Sequence, residues 1–478
     1  MIPARPNLHF TPSHNWMNDP NGLVFHRGRY HLFFQHNPYG ITHANMSWGH
    51  ASSTDLVSWE EHPVAIACDD DEFIFSGSVV VDEAGTSGFG EPGESPMVAV
   101  YTTVAAATGI QAQALAYSTD EGMTWTKYSG NPVLDRGSRN FRDPKVFRYR
   151  GEHSEYWVMT VVEADEHEVL FYRSDDLRSW SYLSSFGPAG AVGGVWECPD
   201  LFPLALDGEV RWVLLLSLNP GGVAGGSGTQ YFVGQFDGER FVPDAPVALA
   251  VTAVELSALG WVDHGRDCYA GVTFNGLDDD QRTLIAWMDN WDYARERPAT
   301  RWRGAMTMAR RLTLRRAQGR PQLCSEPILP VGQDVVHLRA QPSFPASVAL
   351  PSTCRLDIRL STSSTFRMAL TSGADGDVAV VDYCARERTL TFARMVVGMD
   401  GDDAAGSFPS QSRVVLPGDE GSLDVLMVID RASVEIFAAG GARVLTHLLP
   451  QEVDRMRFAA DGDAWLDHLV VQDLCGTR

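Results

Sequence analysis

The chain has no long apolar run, a shortage of basic residues and no cysteines at metal or redox spacing, and each absence excludes a class of protein. No stretch of about 18 apolar residues occurs, so nothing reads as a transmembrane helix and no membrane partner is expected. The start, MIPARPNLHFTPSHNW, lacks the apolar core of a signal peptide. With Met1 as the natural start, a cytoplasmic protein is expected. Lys and Arg number 38 against 61 Asp and Glu, a net charge of −23. Neutralising phosphates needs a basic face, so nucleic acid is not expected as a partner. The seven cysteines, at 68, 198, 268, 324, 354, 384 and 475, are odd in number and lack any CxxC spacing. That argues against a disulfide framework and for a reducing compartment. Eight of the 14 histidines lie between His9 and His62 without HxH or HExxH spacing. Neither a metal site nor a cofactor is expected.

What is present is repetition. A chain of 478 residues exceeds one ordinary core, and 44% hydrophobic with 21% charged residues describes a globular protein of two domains. A β-branched and aromatic run recurs as YHLFFQHNP (30–38), MVAVYTTV (97–104), YWVMTVVEA (156–164), WVLLLSLNP (212–220) and TLIAWMDNW (283–291). A turn signal recurs behind it: Ser53-Thr54-Asp55 to Trp59, Ser118-Thr119-Asp120 to Trp125, Ser174-Asp175-Asp176 to Trp180, and weakly Phe236-Asp237-Gly238 to Phe241. Units of roughly 60 residues with four short strands are propeller blades, and five second-strand signals mean five blades. The blades would open near Asp19, Phe75, Asp143, Glu197 and Asp263. A Pro-rich connector follows, and then alternating strands with turn signals at Asp400-Gly401, Pro417-Gly418 and Gly440-Gly441 read as an antiparallel sandwich. The expected fold is therefore all-β, a five-bladed β-propeller over 1–324, a linker over 325–335 and a β-sandwich over 336–478 with a structural role.

Three stretches share one shape: Asn18-Asp19-Pro20-Asn21-Gly22, Arg142-Asp143-Pro144-Lys145 and Glu197-Cys198-Pro199-Asp200. In each an acid stands one or two residues before a proline, which suits the first residue of a strand. All three would open innermost strands, so Asp19, Asp143 and Glu197 are expected to converge at one mouth of the central channel. Two aimed carboxylates are the minimum equipment for breaking a glycosidic bond.

The motifs WMNDPNG (16–22), FRDP (141–144) and WECPDLFPL (196–204) resemble the signatures of the β-fructosidases of glycoside hydrolase family 32, the invertases, levanases and exo-inulinases. FFQHNP (33–38), WGHASSTDLVSW (48–59), FSGS (75–78), NPGGVAGGSGTQYFVGQFDG (219–238) and, in the sandwich, VIDRASVEIF (428–437) support the resemblance, which runs nearly end to end. It implies a retaining exo-β-fructosidase acting on terminal β-D-fructofuranosyl residues of sucrose, fructo-oligosaccharides or fructans. Asp19 would be the nucleophile, Glu197 the general acid/base and Asp143 a stabiliser gripping fructose hydroxyls. Glu197 would be protonated at rest and Asp19 ionised, with Arg142 keeping Asp143 ionised. Substrate contacts would come from Asn18, Gln35, Phe75, Ser76, Arg142 and Cys198, with Trp48 and Trp291 as the apolar wall. Cys198 reads either as a small buried residue or as a tuner of Glu197. A fructosyltransferase would use the same acids; a non-catalytic fructan-binding propeller would ordinarily have lost one of them.

Overall fold

The computed structural model describes residues 4–299, 301–317, 319–373, 376–395, 408–418 and 421–475. The Asp400-Gly401 turn signal lies outside them. Among the described residues of 15–327, five mainly antiparallel blade sheets are each built outward from one inner strand: Asn15–His26, Glu72–Val81, Phe141–Arg150, Val195–Leu206 and Tyr269–Thr273; a two-stranded parallel pair, Gly190–Ala191 with Leu249–Ala250, is separate from them. Each inner strand touches the next, and the fifth touches the first, so the sheets close into a ring. The short strand Trp302–Arg303, late in the fifth unit, pairs with Asn15 and Trp16 in the first sheet and helps close it. The expected fifth opening at Asp263 falls too early. Asp263 instead faces the second unit, as described below, and the inner strand starts at Tyr269.

The five apolar runs are the second strands, and burial explains why they were legible. Arg29–Asn37 and Glu155–Glu163 are covered for almost their whole length, because neighbouring blades pack on both faces. A strand buried on two sides needs apolar residues in succession rather than in alternation. The turn signals lie between third and fourth strands, where Asp55 accepts the amides of Val57 and Ser58 at 2.8 and 2.7 Å. Asp176 does the same for Arg178 and Ser179. Among the described residues the regular helices are Ala253–Ser257 and one short 3₁₀ turn, and none is long enough to cross a membrane.

The strand Arg320–Pro327 completes the fifth sheet, and Gln333–Gln341 opens the next, so the strand-free connector is 328–332. Two six-stranded sheets then pack face to face. Here the burial does alternate, as along Thr353–Thr362, and Leu356, Ile358, Leu360, Met427, Val381 and Phe392 fill the space between the sheets.

A buried ion network joins the two units. His9, from the N-terminal segment, sits between Asp430 (Nδ1–Oδ2 2.9 Å) and Glu435 (Nε2–Oε1 2.8 Å). Arg310 reaches from the fifth blade to Glu435 at 2.5 Å and to Asp263 at 2.9 Å, and Thr446 Oγ1 donates to Asp263 at 2.6 Å. A second clamp sets Arg394 on Asp267 at 2.8 Å, over the ring of Phe408. Both acids of the VIDRASVEIF stretch are therefore interface groups. Burial opposes charge on His9, but the two carboxylates outweigh it and push His9 up to about 9. His9 in turn holds Asp430, and Arg310 together with His9 holds Glu435, down at about 2 against burial.

Breaking a buried pair by removing one member costs about 3–5 kcal/mol, because the remaining charge stays desolvated. His9→Ala should therefore lower Tm sharply near pH 6. The sign of the pH dependence follows from linkage. The raised His9 stabilises fully below about 6.5, its ordinary value, and that contribution is lost as pH rises through about 9. The depressed acids stabilise above about 4.5 and lose that as pH falls through about 2. Melting curves of both proteins from pH 3 to 10 should show the largest gap between pH 4.5 and 6.5, shrinking toward both ends. A gap independent of pH would show that His9 acts by packing alone.

Candidate active site

Each of the five inner strands slips register near its start: between Met17 and Pro20, Ile74 and Gly77, Arg142 and Lys145, Glu197 and Asp200, and Tyr269 and Val272, and the first slips again between Asn21 and Val24. Such bulges bend a strand and re-aim its side chains. The residue that opens the bulge has positive φ in three of them: Asp143 at 64°, Cys198 at 48° and Ala270 at 54°. Non-glycine residues seldom adopt this conformation, and they do so where the surroundings over-determine them. The prolines do not start the strands, as the shared shape suggested. Pro144 and Pro199 are unpaired bulge residues inside strands that begin at Phe141 and Val195, where a missing N–H costs no ladder bond. The acids occupy three different places in one device. Glu197 is the last paired residue, Asp143 the first unpaired one and Asp19 the second.

These bulges bring the three carboxyls into one cluster. Asp19 accepts from Asn18 Nδ2 at 3.0 Å and from Ser76 Oγ at 2.8 Å. Cys198 Sγ lies 3.7 Å from Asp19 Oδ2 and 3.7 Å from Asp143 Oδ2, and the Cys198 amide donates to Asp143 Oδ2 at 3.0 Å. Arg142 Nε donates to Glu197 Oε1 at 3.2 Å, and the Tyr269 hydroxyl donates to Glu197 Oε2. Below the cluster Lys145 pairs with Asp200 at 3.2 Å and donates to the Thr273 carbonyl, tying three inner strands across the axis.

Burial and the Glu197 charge push Asp19 up to about 6, against the hydrogen bonds from Asn18, Ser76 and Cys198. Burial also pushes Asp143 up to about 7, with Arg142 pulling down and Glu197 and Asp19 pushing up. Groups coupled this closely titrate as a set. Asp19 thus stands above the ordinary carboxylate range, and Arg142 does not hold Asp143 within it. Its Nε lies 4.0 Å from Asp143 but 3.2 Å from Glu197, and desolvation of Asp143, only 6% exposed, outweighs that distant charge. Burial and the surrounding carboxylates drive the Cys198 thiol far up, so it remains a neutral S–H. Of the two readings of Cys198, a small buried residue or a tuner of Glu197, the geometry fits the first more closely: the residue is buried, and its thiol faces Asp19 and Asp143.

Of the expected substrate contacts, Asn18, Ser76, Arg142 and Cys198 touch the carboxyls directly. Phe75 is half-buried, as is Trp291, which stacks on Trp16 at 5.9 Å and tilts against Trp287 at 4.8 Å. Trp48 forms no open wall. It is fully buried and donates from behind to the Phe75 carbonyl at 2.9 Å, and Gln35 likewise donates to the Ile74 carbonyl at 3.1 Å. Both brace the second bulge, because the middle strands of blade one are covered on two faces. Sequence reasoning missed Tyr269, Thr102, which accepts the Asp143 amide at 2.9 Å, and His43, edge-on to Trp291 at 5.2 Å. A search for the bulge in the fifth inner strand would have found Tyr269, but that strand carries neither an acid nor a proline to mark it.

Residues 9–327 match the model described as Glycosyl hydrolases family 32 N-terminal domain, and residues 334–472 match Glycosyl hydrolases family 32 C terminal. The chain is 39% identical to a levanase of Bacillus subtilis over 98% of its own length and 70% of the relative's. It is also 39% identical to an extracellular exo-inulinase of Aspergillus ficuum, over 93% of this chain and 89% of that one. The crystal structure of an exo-inulinase from Aspergillus awamori superposes with a TM-score of 0.90 at 36% identity, covering 100% of this chain and 99% of the other. The expected cytoplasmic location is thereby corrected: the similar exo-inulinase is an extracellular enzyme. The absence of an apolar run in the first residues carries no information about compartment. A family match over both units, with the three acids gathered at the ring axis, makes this chain a glycoside hydrolase and a member of family 32.

Proposed function

We propose that the chain is a retaining exo-β-fructosidase that releases terminal β-D-fructofuranosyl residues from sucrose, fructo-oligosaccharides or fructans. The observation that carries this reading is the carboxyl cluster itself. Asp19 is the nucleophile: one oxygen attacks C2 of the fructosyl unit while the bond from C2 to the leaving oxygen breaks. Glu197 gives its proton to that oxygen, then takes one from the water that releases fructose and restores Asp19. Two inversions at C2 return the original configuration. Asp143 grips fructose hydroxyls, and Trp291 and Phe75 offer the apolar surface beside them.

The electrostatics support the nucleophile. Asp19 is short of stabilisation as an anion, and forming the ester removes its charge from beside Glu197 and Asp143. Arg142 and Tyr269 fix the orientation of Glu197, which must face the leaving oxygen and later the water. We assign this chemistry to the ring of 1–324, with the sandwich of 336–478 joined to it through the ion networks.

Asp19→Asn should lower kcat by about four orders of magnitude or more, as loss of a catalytic nucleophile does. The same variant should be more stable than the parent at pH 8 and no more stable at pH 3.5. A carboxyl raised to about 6 in the fold loses stability as pH climbs from its ordinary value of 3.8 through 6, so removing it helps only above that window. Calorimetry at the two pH values checks the sign, and an equal shift at both would remove the electrostatic basis of the assignment.

Glu197→Gln should slow sucrose turnover far more than the first step on an activated aryl fructoside, whose leaving group needs no proton. Equal losses on both substrates would mean that another residue is the acid. The same pair of proteins tests the cluster. Activity requires Asp19 ionised, so kcat/KM for the aryl fructoside should fall about tenfold per pH unit below about 6. Removing the neighbouring charge in Glu197→Gln should move that limb to lower pH, and removing a hydrogen bond in Ser76→Ala should move it higher. A limb that stays in place in both variants would show that Asp19 does not set it.

A further inference from the structure

The sandwich carries an exposed tryptophan in a concave place. Trp465, 46% exposed, is the second residue of the strand Ala464–Asp473 and lies opposite Ser361, while its neighbour Leu466 is fully buried in the core. It lines a groove of about 820 Å³ together with Ser361, Thr362, Ser363, Arg386 and Asp463, and every lining residue belongs to the sandwich. The groove is built on fixed backbone. The Thr362 amide donates to the Gly421 carbonyl at 2.7 Å, and the Ala385 amide donates to the Ser364 carbonyl at 3.0 Å. Thr362 Oγ1 donates to the Asp463 carbonyl at 3.0 Å, and beneath the groove the Tyr383 hydroxyl crosses between the sheets to the Ser422 carbonyl at 2.9 Å. Gly421, at φ 82°, leaves no room for a side chain, since a Cβ there would lie 2.9 Å from the Thr362 carbonyl oxygen.

We infer that this groove is a second carbohydrate site, which holds a fructan chain on the sandwich while the propeller trims its end. A flat indole face fits the C–H side of a sugar ring, and hydroxyls with one guanidinium and one carboxylate give hydrogen bonds to sugar hydroxyls. One charge of each sign leaves the groove without a net pull on ions, and a chain of net charge −23 repels anionic polymers. A neutral polyhydroxylated ligand matches both facts. Only the choice of fructan over other neutral glycans rests on the proposed activity. Tethering a polymer at a distant site raises the concentration of its ends at the carboxyls without any change in the chemistry.

The test is affinity electrophoresis in gels containing levan or inulin, with all groove variants made in the Asp19→Asn background so that polymer persists. Retardation should weaken at least tenfold in apparent Kd in Trp465→Ala, weaken less in Arg386→Ala, and largely return in Trp465→Phe. In otherwise native protein, Trp465→Ala should leave kcat/KM for sucrose within twofold and raise KM for the polymer severalfold. Retardation unchanged in both alanine variants overturns the site. So does a loss that tracks a change from dimer to monomer in sedimentation, which would make the groove a contact between copies of this chain. Should the Asp19→Asn background still release fructose, the nucleophile assignment fails, and the comparison of retardation within one gel still decides the groove.

Discussion

Three carboxyl groups crowded at one end of a ring axis repel one another, and burial adds to the cost of charging them. Asp19 and Asp143 record that cost directly, standing at about 6 and about 7. A flexible assembly would move apart. Here each acid is carried on a bulged inner strand, and the five inner strands close on one another without a free edge. Closure of the ring is what allows like charges to be held together, and the strained left-handed conformations of Asp143 and Cys198 are sustained by the same rigidity.

The donors around the acids divide the work between them. Asn18 and Ser76 hold Asp19, the Cys198 amide holds Asp143, and Arg142 with Tyr269 holds Glu197. All five of these donors lie on the inner strands, as close neighbours of the acids in sequence or as residues at the bulges of other blades. One backbone device, repeated around the axis, therefore supplies both the acids and most of what orients them.

The second unit is bound to this ring by charge as well as by apolar contact. His9 and Arg310 converge on Glu435, and Asp263, which the repeat pattern placed at the start of a blade, is recruited to the same network. Because His9 lies only six residues before the first inner strand, the network also anchors the approach to Asn15 and Trp16. Such pairs stabilise only while both partners are present, which ties the order of the N-terminal segment to the sandwich.

The repeats alone were enough to indicate five blades and a following sandwich, because strands buried on two faces and strands buried on one leave different apolar patterns. The three acids were legible for a related reason. A bulge that abandons a ladder bond tolerates proline, and Pro144 and Pro199 marked the place from within the sequence. What proline does not mark, the sequence concealed. Tyr269 sits in the fifth bulge with no such neighbour, and Trp48 looked like a wall until packing on both faces of its strand put it behind one. Arg142 adjoins Asp143 in the chain yet lies closer to Glu197, since the bulge at Asp143 breaks the alternation of the strand and side chains of neighbouring inner strands meet at the axis. The sequence by itself determined which residue types stand on which strands. Only the closed tertiary structure decided which of them meet, how deeply each is buried and so which carboxyl bears the cost of charge, because desolvation and pair distances are properties of the packed ring and not of any one segment.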